Sequence, residues 1–139
     1  MNWKLILQLS LFGLAMGIGT VFVIPSTIEP YFWLAVILIS AYLIAARCAG
    51  RYFLHGLLVG IANSIWVTAS HVLLFAQYVV RHPSEMAMMG SMPLPTHPRV
   101  MMLLTGPVIG VISGIILGIF AVVASRMLVS RSRAAAASG

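Results

Sequence analysis

Charge is what this chain has least of. Only 7% of its 139 residues are charged, and only two of them are acidic. A soluble domain carries about 25% charged residues, enough to cover a water-exposed surface. With 61% hydrophobic residues and a mean hydropathy of +1.07, the chain has no such surface to offer, so its solvent must be mostly lipid.

Cysteine is nearly absent too. A single Cys48 excludes an internal disulfide, and its setting, Ala45-Ala46-Arg47-Cys48-Ala49-Gly50, reads as a reduced, unreactive position on the cytoplasmic side. Spacings that carry established chemistry are missing as well: no CxxC, HExxH, GxSxG, Walker or Rossmann pattern occurs. A hydrolase built on Ser64 and His71 would lack an acid at membrane depth. His55 and His71 lie about 24 Å apart at 1.5 Å per residue, too far to share one haem. The net charge of +6 comes from residues flanking apolar runs, not from a basic surface interleaved with aromatics, so no nucleic-acid partner is expected.

What is present is a series of long apolar runs. The first, residues 5–24, follows Lys4 and closes at Pro25. A signal peptide is the competing reading, but the run is longer than an h-region and lacks a small-residue cleavage site, so a retained span is expected. Pro25 and Pro30 bracket a tight connection. The second run, 31–46, is short for a span and opens on Tyr31 and Trp33, which suit an aromatic belt. The third, 52–80, reaches about 43 Å and must tilt or protrude from a core about 30 Å thick. The fourth is 100–127, and 130–139 reads as a flexible cytoplasmic tail.

Lys4, Arg47, Arg51, Arg126, Arg131 and Arg133 fall on one side, and Arg81 and Arg99 on the other. The positive-inside rule then puts both termini in the cytoplasm. The expected fold is all-α, a compact four-transmembrane-helix bundle with one membrane domain over 1–129 and a short interfacial helix in the third, outer connection. A bacterial inner (plasma) membrane is the expected location.

Within lipid, helices associate through close backbone approach. Gly106, Gly110, Gly114 and Gly118 form such a strip at four-residue spacing on the fourth span. It reads first as packing within the bundle and second as a face for a homo-oligomer or a partner membrane protein.

Polar groups concentrate in the third run. At 100° per residue, Ser64, His71 and Tyr78 lie within about 20° of one line. Asn63 lies off that line and reads as an interhelical hydrogen-bonding residue, whereas His71 suits ligand binding equally well. His55, near the inner interface, reads as a residue that snorkels.

The 81–99 segment is the richest in side-chain chemistry. Pro83 and Gly90 bracket a short helix, and the prolines after it suggest a stiff, extended return. His82, Glu85 and His97, with Met88, Met89 and Met92, are candidate ligands at the mouth of the bundle, beside Glu29 and above His71. Thioether and imidazole together suit copper, and imidazole with carboxylate suits zinc. Methionines also suit an interfacial helix merely by being flexible and apolar. The expected function is binding or transport of a small solute or metal ion through an outward-facing polar site. The rival is a non-catalytic scaffold or accessory subunit.

Overall fold

The computed structural model describes residues 1–91 and 93–137, with side chains described through 130. The described chain is all-helical: α1 (Trp3–Phe22), α2 (Glu29–Arg47), α3 (Tyr52–Leu73), α4 (Phe75–Arg81), α5 (Pro83–Met89) and α6 (Pro98–Ala137). Of these, α1, α2, α3 and α6 are long and apolar enough to cross a membrane.

The helix ends follow local chemistry. The Asn2 side chain accepts a hydrogen bond from the Leu5 N–H, 3.1 Å, and so caps α1. Pro30 does not stop α2. It sits in the first turn, where the missing N–H costs nothing, so the helix begins at Glu29 rather than Tyr31. Pro98 opens α6 in the same way. α5 matches the expected interfacial helix in position and length.

The third apolar run differs from expectation. It does not continue as one helix to residue 80; it breaks at Leu74 (φ −100°, ψ 29°) and restarts as α4. Neither proline nor glycine lies at the break. The 22 residues of α3 already span about 33 Å, close to a full hydrocarbon core, so the remaining turns are free to change direction outside it. The segment after α5 is also not fully extended. Pro95 starts a turn closed by the His97 N–H on the Leu94 carbonyl, 3.1 Å. Finally, α6 continues helically to Ala137, across residues read as a flexible tail.

Glycine decides the packing. A Cβ on Gly56 would lie 2.5 Å from the Gly118 Cα, and one on Gly60 would overlap the Gly114 backbone. Gly106 faces Thr68, and Gly110 faces Ser64. These contacts hold α3 against α6 at backbone distance. On its other side α3 meets α1, where a Cβ on Gly13 would lie 2.5 Å from the Asn63 Cα. α2 packs mainly on α6 and touches α3 little. The spans therefore run α2, α6, α3, α1 across the molecule.

At the end that carries both termini, all four come together. Leu5, Ile6 and Leu9 of α1, Ala41 and Ile44 of α2, Val59 of α3, and Leu117 and Ala121 of α6 form one buried apolar cluster. His55 secures this end. It is 3% exposed, so it does not snorkel. Its Nδ1–H donates to the Arg51 carbonyl (2.9 Å), and its Nε2 accepts the Asn2 N–H (3.0 Å), tying the start of α1 to the start of α3. Burial of both ring edges, invisible in the spacing, explains the difference.

Candidate functional site

Because α2 leans on α6 and hardly on α3, a gap is left between α2 and the packed α3–α6 pair. The gap is a chamber of about 350 Å³. α2 contributes Glu29, Trp33, Val36 and Ile37. α3 contributes a polar edge of Asn63, Ser64, Thr68 and His71, with Val67 among them. α6 contributes Met102, Thr105, Ile109, Ser113 and Leu117, and Tyr78 and Met89 border it from α4 and α5. The volume suits a small organic molecule. The walls are mostly apolar, and the polar groups are few and convergent.

The polar edge is held from behind. Asn63 is buried, and its Oδ1 accepts the Gly13 N–H at 3.0 Å, which fixes the amide between α1 and α3. His71 is oriented through α1 as well: its Nε2 lies 2.9 Å from Thr20 Oγ1. The Thr20 hydroxyl donates its one proton to the Gly17 carbonyl, 3.2 Å. Thr20 Oγ1 thus meets both the Gly17 carbonyl and His71 Nε2, which fixes the imidazole against α1. Trp66 reaches Ser10 on α1 (Nε1 to Oγ, 3.2 Å) and takes no part in the chamber.

Three rings continue outward from His71. Tyr78 lies 4.3 Å from it between centroids, tilted by 30°, and His82 stacks on Tyr78 at 4.3 Å and 10°. His82 is 1% exposed. Its Nδ1–H donates to the Tyr78 carbonyl at 3.2 Å, and its buried Nε2 has no partner among the described residues. A buried lone pair without a partner is a cost the ring stack must offset.

Of the chain's two carboxylates, Glu29 lies on the chamber lining and Glu85 does not. Glu29 accepts the Trp33 indole N–H at 3.0 Å, one helical turn on. Glu85 accepts from Ser84 Oγ at 2.8 Å. Its partial burial favours the neutral acid, but hydrogen bonds from Ser26 and Ser84 outweigh this, so its carboxyl titrates below the usual range.

The expected ligand set is thus only partly gathered. His71, Tyr78 and His82 stand together, with Asn63, Ser64 and Met89 on the same chamber. Glu85 is tied to the α1–α2 connection. Met88 is exposed, and His97 is exposed with its Nδ1 2.8 Å from Thr96 Oγ1. Met92 lies outside the described residues. Among the described residues, no three of the His, Cys, Asp and Glu side chains lie close enough to hold one metal ion.

Sequence reasoning missed Trp33, Thr20 and Met102. For Trp33 a signal existed: Glu29 lies four residues earlier, one helical turn away. For Thr20 and Met102 there was none, because their roles depend on which helices become neighbours. Comparison with protein-family models, curated proteins and solved structures finds no match for this chain.

Proposed function

We propose that this protein is a membrane-embedded binding protein, or carrier, for a small and mainly apolar molecule bearing one polar group. The observation that carries the reading is the chamber. It is bounded at one end by a core shared by all four spans and lined along one side by Asn63, Ser64, Thr68 and His71. Polar groups at membrane depth are costly, and facing a cavity is a common reason for keeping them. In the N-in orientation favoured by the basic residues, the chamber faces away from the cytoplasm, and the host is an inner (plasma) membrane.

Copper or zinc would need several ligands around one point. The chamber supplies the better support, so the reading rests on an organic ligand. The lipid bilayer is the first partner. The glycine strip of α6 lies against α3. A homo-oligomer or partner membrane protein would therefore seat elsewhere on α6, on the exposed row Val108, Ile112, Ile115 and Ile119.

Trp33 supplies the test, because it is the one tryptophan on the chamber. In a Trp3→Phe, Trp66→Phe background, a neutral brominated decyl glycoside should quench Trp33 saturably. Ile109→Phe, which narrows the chamber from an exposed position, should weaken that binding about tenfold. Linear, unsaturable quenching unaffected by Ile109→Phe would overturn the reading.

A further inference from the structure

We propose that the chamber selects an organic cation, an ammonium group carried on an apolar body. This rests on the chamber being a ligand site, and it names the class of ligand.

The charge of the lining decides. Among the described residues no lysine or arginine borders the chamber, and its one acidic side chain is Glu29. Only one Glu29 oxygen is engaged among the described residues, by the Trp33 indole N–H at 3.0 Å. Among the described residues neither carboxylate of the chain forms an ion pair, although Arg81 and Arg99 lie toward the same end. Arg99 instead places its guanidinium 5.0 Å over the Phe75 ring, away from the lining. Arg81 is exposed.

The ring beside Glu29 adds to this. Trp33 supplies an aromatic ring to the lining and Met89 and Met102 thioethers, all suited to a soft, weakly hydrated cation. Away from the mouth, Val36, Ile37 and Ile109 accept an alkyl or aryl body.

An anionic amphiphile would meet Glu29 at low dielectric with no countercharge in the wall. A neutral one would fit but leave the carboxylate unused. His71 borders the chamber with its Nε2 held 2.9 Å from Thr20 Oγ1, so its ring is anchored to α1.

The test uses three brominated decyl probes on the Trp33-only protein in nanodiscs: a trimethylammonium, a glycoside and a sulfate. The ammonium probe should bind about tenfold tighter than the glycoside, and the sulfate weaker than both. Glu29→Gln keeps an acceptor for the Trp33 indole while removing the charge. It should abolish the preference for ammonium, so that the ammonium and glycoside probes bind this variant with similar affinity. Glu85→Gln, a step further from the lining, should reduce the preference less. Equal affinities across the three probes, or a preference that survives Glu29→Gln, would overturn the cation inference and leave the chamber reading intact. Failure of every probe to saturate would overturn both.

Discussion

Gly60→Val should separate α3 from α6 and cost the protein about 3 kcal/mol or more of stability, the upper end of what overpacking a tight contact costs. The reason is geometric. Even a bare Cβ at Gly60 falls on the Gly114 backbone, so no rotamer change relieves it and a helix must move. The loss propagates, because Gly56 and Gly118, and Gly110 and Ser64, repeat the contact along the same interface. A shift of α6 would also carry α2 with it and deform the chamber. Thermal unfolding in detergent, read by size-exclusion recovery, measures the effect. Gly90→Ala is the control. Its added methyl would stand 3.3 Å from the Ala87 carbonyl oxygen in the exposed connection after α5, and it should leave the midpoint nearly unchanged.

The second large effect is expected at Asn63. Asn63→Leu removes the acceptor of the Gly13 N–H and places a branched side chain where α1 and α3 nearly touch. Interhelical hydrogen bonds in membranes are worth about 0.6–1.7 kcal/mol, and the steric term adds to this, so a loss of about 2 kcal/mol is expected. The same change should weaken ligand binding, since Asn63 borders the chamber. Asn63→Asp keeps a carbonyl-like oxygen toward Gly13 and should retain more stability than Asn63→Leu. If the two variants proved equally stable as wild type, Asn63 would not join α1 to α3.

How much of this was readable beforehand depended on range. The four spans, the short helix at 83–89 and the tight turns were legible because they follow from local rules: apolar runs long enough to cross hydrocarbon, prolines at first turns, a glycine after a last turn. A 3.6-residue period sets Ser64 and His71 near one line of α3 before any neighbour is known, but Tyr78, read onto the same line, lies beyond the break at Leu74 on α4.

Neighbour choice was not legible. Nothing in the sequence says that α2 leans on α6 rather than α3, and the chamber exists because of that choice. The break at Leu74 was hidden too, because a purely apolar run carries no punctuation at that point. His82 looked like an open ligand in an outer loop. It is instead buried against Tyr78, since the turn between α4 and α5 folds its ring back onto the preceding helix. His55 shows the same limit from the other side: a histidine near a helix start reads as polar surface until a second chain segment arrives to cover it.

Water access to the deep wall of the chamber tests the account most directly. In a Cys48→Ser background, Ser113→Cys puts a thiol on that wall, and Ile116→Cys, exposed on α6 outside the lining, puts one toward lipid. A small charged methanethiosulfonate added to vesicles on the side opposite the termini should modify Ser113→Cys at least tenfold faster than Ile116→Cys, and an excess of ligand should protect it. Equal inertness of both thiols, or reaction of Ser113→Cys only from the side of the termini, would contradict the account.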